Sequence, residues 1–98
     1  MARFDVYRLV DGGMVIDCQA DFLDDIRTRF VVPLVPPGEA PPDNPRLNPR
    51  FEVNGEPLVM VTQFATAIRT VELKTRIVSL DSEHFRIVNA IDVLIGSG

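Results

Sequence analysis

Apolar positions in this 98-residue chain recur at two different spacings, and the spacing changes near residue 80. Before that point they come in short runs, often at every second position, separated by Gly-, Pro- and Asn-rich breaks. This is the pattern of short β-strands joined by turns. Residues 3–10 (RFDVYRLV) set Phe4, Val6 and Arg8 on one face and Asp5, Tyr7 and Leu9 on the other. Asp11, Gly12 and Gly13 read as a hairpin turn, because glycine supplies the positive φ that tight turns need. Residues 14–20 return as a second strand, residues 21–27 read as a loop or single turn, and residues 28–35 as a third strand. Pro33 cannot donate to a ladder, which predicts an edge or a bulge at that position.

The stretch 36–49 holds six of the eight prolines and can form neither a helix nor a central strand. Residues 50–53 and 56–62 flank Asn54-Gly55, a strong hairpin signal. Residues 63–67 then read as a crossover, 68–73 as a strand, and 76–79 as a further short one. From Leu80 onward the spacing is helical. Phe85, Val88, Ile91 and Ile95 follow it, and Ile87, Ala90 and Leu94 widen the stripe. One α-helix is predicted over about residues 81–95, with Ser79 or Asp81 as N-cap, acidic residues near its positive end, and Gly96 as its stop. A helix this apolar cannot hide its whole circumference against one sheet, so part of it should meet another surface. The fold class is mainly β, antiparallel, with one C-terminal helix, in a single domain spanning residues 1–98.

Composition removes several function classes. The hydrophobic content of 46% argues for a folded core. A net charge of −4, with nine arginines and one lysine scattered singly, lacks the basic stripe of a nucleic-acid surface. No leader-like or membrane-spanning run is present, which points to a cytoplasmic protein. Cys18, the one cysteine, reads as a buried small hydrophobe. Asp21, Asp24 and Asp25 lack the spacing of a calcium loop. Ser79, Ser82, His84 and Asp81 crowd a helix start, where capping explains them better than catalysis. The expectation is a non-enzyme with no cofactor and no metal, acting through a binding surface.

Five segments carry a resemblance to the CcdB toxins of toxin–antitoxin modules. Phe4-Asp5-Val6-Tyr7 resembles the family's opening strand, and Ile16-Asp17-Cys18-Gln19-Ala20-Asp21 its second. Arg29-Phe30-Val31-Val32-Pro33-Leu34 is similar to a family motif with proline inside a strand. Val53-Asn54-Gly55-Glu56 matches the central hairpin and Val88-Asn89-Ala90-Ile91-Asp92 the helix core. The resemblance implies an SH3-like barrel with a C-terminal helix, assembled as a homodimer. It also implies a poison that binds the DNA gyrase A subunit, traps cleaved DNA, serves plasmid maintenance and is removed by a CcdA-like antitoxin.

By the same resemblance, gyrase would be met by Ala20, Phe22, Asp92, Ile95, Gly96, Ser97 and Gly98. The antitoxin would cover Arg8, Asp11, Gly12, Gly13 and Met14 with part of the proline-rich loop. The dimer would close through Ile91, Leu94 and Ile95. Well-known members end this helix with Phe-Trp-Gly-Ile, where this chain has Ile95-Gly96-Ser97-Gly98 and no tryptophan. Two alternatives therefore stand beside a gyrase poison. One is a homologue that binds antitoxin-like peptides without poisoning, and the other is a MazF-like mRNA interferase on the same barrel.

Overall fold

The computed structural model describes residues 2–42 and 44–96. Seven strands form: β1 (Asp5–Leu9), β2 (Met14–Asp17), β3 (Thr28–Val35), β4 (Arg50–Val53), β5 (Glu56–Met60), β6 (Thr66–Arg69) and β7 (Leu73–Ser79). A short 3-10 turn, Asp81–Glu83, leads into the helix α1 (His84–Ile95). All seven strands pair antiparallel in one sheet, in the order β4-β5-β3-β2-β1-β7, with β6 beside the first half of β3. The sheet curls into a half-barrel and α1 covers its concave side, as the resemblance implies.

The predicted turns hold. Gly12 has φ +93°, and the Asp11 carboxylate accepts the Gly13 N–H at 2.8 Å. Asn54 and Gly55 have φ of +51° and +83°, the two positive values of a primed hairpin turn. Pro33 requires a correction, because it lies in the most central strand. β3 has β2 along one side, while its other side is shared by β6 up to Val31 and by β5 from Leu34. The Pro33 carbonyl faces that shared side and accepts the Val61 N–H at 2.9 Å. A residue's N–H and C=O point the same way in a strand, so the missing donor faces the gap between β6 and β5. No partner there needs it.

The later strands are also displaced from the prediction. Residues 70–72 form a 3-10 turn inside the stretch read as one strand, so β6 ends at Arg69 and β7 runs over seven residues. The turn is fixed by two bonds: the Thr70 N–H reaches the Arg27 carbonyl at 2.9 Å, and the Glu72 carboxylate takes the Arg69 N–H at 3.3 Å. β2 stops at Asp17 rather than Ala20, because Asp17 turns its carboxylate inward and bonds the Gln19 N–H.

The core joins both elements. Phe4, Val6, Ile16, Val32, Leu34, Phe51, Leu58 and Met60 from the sheet meet Leu80, Ile87 and Ala90. Here the predicted helix stripe divides. Ile87 and Ala90 are fully buried, with Val88 and Ile91 packed at the margin, whereas Phe85 and Ile95 are 79% and 68% exposed. At 100° per residue Phe85 lies opposite Ile87 and Ala90, whereas Ile95, 80° from Ile87, is exposed as the last residue of the helix. Ser79 supplies a cap-like bond, its hydroxyl accepting the Asp81 N–H at 3.1 Å, but Asp81 caps nothing with its side chain.

Candidate functional site

The connection from β2 to β3, residues 18–27, is built on a buried charge. Asp17 pairs with Val31, which makes Arg29 its diagonal neighbour on the same face of the hairpin. The Arg29 Nε donates to Asp17 Oδ2 at 2.9 Å, and its NH2 makes an ion contact with the same oxygen at 2.6 Å. That NH2 has no hydrogen bond, so the pairing is on one oxygen rather than fork-to-fork. The Arg29 NH1 donates instead to Asp24 Oδ1 at 3.1 Å. Arg29 and Asp17 are 1% and 0% exposed, while the Asp24 side chain is 55% exposed.

Neighbouring polar groups complete this scaffold. The Gln19 N–H donates to the other Asp17 oxygen at 3.0 Å. Gln19 Oε1 accepts the Phe30 N–H at 3.0 Å, and its Nε2 donates to the Leu23 carbonyl at 3.1 Å. From the chain start, the Arg3 N–H donates to Asp21 Oδ1 at 2.7 Å and the Arg3 Nε to the Cys18 carbonyl at 3.3 Å. Held in this way, the loop turns apolar side chains outward. Phe22 is 84% exposed and Ile26 is exposed, while Ala20 is half-buried.

The loop reaches α1 through the same N-terminal residues. Phe4 has φ +71°, rare for an aromatic residue, and its carbonyl accepts the Leu80 N–H at 2.8 Å. Its ring stacks with His84 at 6.4 Å, and His84 lies 4.1 Å from the ring of Phe85. Along the outer side of the helix, Phe85, Arg86, Val88, Asn89 and Asp92 line a shallow groove of about 510 Å³. Arg86 fastens the helix to the sheet: it donates to the Arg50 carbonyl at 2.8 Å and sits 4.7 Å over the ring of Phe51.

Gly96 closes α1 at φ +82°, its N–H directed to the carbonyls of Asp92 and Val93. Ile95 lies ten residues beyond Phe85, about 15 Å along the axis. Asp92, Ile95 and Gly96 thus occupy the far end of the helix from the first turn that the loop adjoins. Asp92 is half-buried, Ile95 and Gly96 are exposed, Ile91 packs at the core margin, and Leu94 is exposed. Ser97 and Gly98 lie outside the described residues. The β1–β2 turn lies at the other end of β1, where Leu9 is five residues, about 17 Å, from Phe4 along the strand. There Arg8, Asp11, Gly12 and Gly13 are exposed, Met14 packs at the core margin, and the Arg8 NH1 donates to the Gly12 carbonyl at 3.1 Å.

Titratable groups play structural parts. Burial, followed by the charge of Asp17, pushes the Cys18 thiol up to about 12, which leaves it a poor nucleophile. Burial, then the charge of Asp5, raises the Tyr7 hydroxyl above its ordinary value. Arg76 is held more firmly protonated by its 3.0 Å bond to Asp5. Among the described residues, no group of three or more His, Cys, Asp and Glu side chains is arranged to hold a metal ion. No helix among them is long and apolar enough to cross a membrane.

Sequence reasoning missed the role of Arg29, which it counted only among the scattered arginines. A signal was available: an arginine inside the apolar run of residues 28–35, in antiparallel register with an aspartate inside the apolar run before it. It also missed that Phe85 faces outward. Against this geometry, a family model described as CcdB protein matches residues 3–97. Comparison with curated proteins gives no match.

Proposed function

The chain belongs to the CcdB family, and from that premise we propose that this toxin acts by docking on the DNA gyrase A subunit as a homodimer, relieved by a CcdA-like antitoxin. The observation that carries the reading is the apolar surface that α1 leaves open, Phe85 on its outer side and Ile95 in its last turn, 79% and 68% exposed on a helix that Arg86 fastens to the sheet. Large apolar groups fixed on a rigid element lose little entropy on binding and gain the burial they lack in the monomer.

In this reading Ala20, Phe22, Asp92, Ile95 and Gly96 face gyrase, with Ser97 and Gly98 beyond the described residues. Ile91, Leu94 and Ile95 contribute to the contact between copies. The turn from Arg8 through Asp11, Gly12 and Gly13 to Met14 takes the antitoxin. The chain then works by occupying its target, without chemistry of its own.

One observation favours a second reading, a CcdB fold that binds an antitoxin-like peptide without poisoning. The sequence has no tryptophan, and Gly96 stands where well-known members place one. An aromatic anchor at an interface centre commonly accounts for ~2–4 kcal/mol, or roughly thirty- to a thousand-fold in affinity. A supercoiling assay with purified gyrase separates the two. Inhibition, with cleaved DNA trapped in the presence of ATP, is the outcome expected of a poison. A folded dimer that leaves supercoiling untouched while binding its antitoxin would establish the second reading.

A further inference from the structure

We infer that Asp24 is a positioning residue, whose bond to the buried Arg29 holds the loop of residues 20–26 so that Phe22 and Ile26 stand outward for docking. The inference rests on the proposed use of that loop against gyrase. Arg29 is already fixed when it reaches Asp24, since Asp17 holds its Nε and NH2 inside the sheet. Its NH1 is therefore a stationary donor at the base of the loop, 3.1 Å from Asp24 Oδ1.

The other ties fall on either side of this bond. Gln19 holds the Leu23 carbonyl, the Arg3 N–H holds Asp21, and the Arg27 carbonyl takes the Thr70 N–H. Between Leu23 and Arg27, the Ile26 N–H bonds back to the Leu23 carbonyl, a contact within the loop that anchors nothing to the sheet. Asp24 links that stretch to β3. The two arms of Arg29 thus divide their work: the Asp17 arm belongs to the core, and the half-exposed Asp24 arm belongs to the loop. Because Asp24 is half exposed, water can take its place at the Arg29 NH1, so the bond adds little to global stability. It can still decide where the loop sits.

The test uses the full chain with Asp24→Ala, Asp24→Glu, Phe22→Ala and the Asp24→Ala/Phe22→Ala double variant. Each is measured for binding to purified gyrase A subunit, for thermal unfolding, and for amide hydrogen exchange. Asp24→Ala should weaken binding roughly fivefold, from the loop-ordering cost returned at docking. It should move the melting temperature by no more than about 4 °C, the shift of about 0.5 kcal/mol in a domain of this size, and speed exchange at residues 20–26 alone. Asp24→Glu should restore much of the binding. The double variant should bind more weakly than Phe22→Ala, but by less than the fivefold effect of Asp24→Ala alone, because Ile26 is then the one docking group left for the loop to position.

Unchanged exchange at residues 20–26 in Asp24→Ala overturns the inference, whatever the binding result. So does parental affinity in Asp24→Ala when Phe22→Ala is weakened, and in that case the docking reading survives. Parental affinity in Phe22→Ala overturns the gyrase role of the loop, even if exchange shows Asp24 holding it.

Discussion

The inner and outer sides of α1 carry similar apolar residues and meet opposite surroundings. Ile87 and Ala90 are sealed against Phe4, Val6 and the rest of the sheet, and Arg86 beside them locks the helix at the Arg50 carbonyl. Phe85, two residues away on the opposite side, stands in solvent, as does Ile95 in the last turn. Burial on the inner side is consumed by folding, whereas the same chemistry on the outer side is left for a second molecule. Mutational effects should therefore split by direction around the helix rather than by hydrophobicity.

The largest break should come from Ile87→Ala. Deleting a fully buried isoleucine removes transfer energy and leaves a cavity, costing about 3 kcal/mol, to be read from the urea midpoint. A loss below about 1 kcal/mol would mean that the helix is a loose cover. Ala90→Leu should come next, at about 2 kcal/mol from overpacking against the sheet in the same assay. On the outer side, Phe85→Ala should change stability by about 0.5 kcal/mol or less while gyrase binding falls at least tenfold. Equal loss of stability from Phe85→Ala and Ile87→Ala would erase the distinction.

Cys18 extends the inner side to a pH measurement. Its folded value of about 12 lies above the ordinary 9.0, so the native state keeps a proton that the unfolded chain gives up. The stability tied to this group is complete below about pH 9 and is lost as pH rises towards 12, by at most ~1.4 kcal/mol per pH unit. Tyr7 shifts in the same direction, so the useful quantity is a difference. Between pH 9 and 10.5 the parent should lose stability faster than Cys18→Ala, measured by denaturant midpoints. Matching slopes would show that the thiol is not sealed.

Legibility in the sequence followed the same division. Local chemistry was readable, as at Asn54-Gly55, Gly12 and the stop at Gly96, because each needs only its own residues to set φ. Long-range partnership was not. Nothing in the local pattern says that β3 is shared by β5 and β6, so Pro33 read as an edge or bulge residue although it faces a gap in the middle of the sheet. The helix stripe was seen as one because periodicity gives the spacing of apolar residues and leaves open which side the sheet will take. Arg29 was hidden for a related reason: its burial depends on Asp17 across the hairpin and Asp24 above it. The outward Phe22 was readable only through family resemblance.

The pairing of β1 with β7, and the seating of Leu80, Ile87 and Ala90 among residues from the first strands, ties the fold to the order of synthesis. At roughly 5–20 residues per second, β1 waits several seconds for the strand that completes its outer side. Until residues 73–95 are made, Phe4, Val6, Ile16 and Val32 lack the cover that Leu80, Ile87 and Ala90 supply. A ribosome-borne fragment therefore has neither a finished core nor the helix that presents Phe85 and Ile95. A chain that stops short of the helix would therefore be a substrate for proteolysis rather than a smaller version of the folded protein.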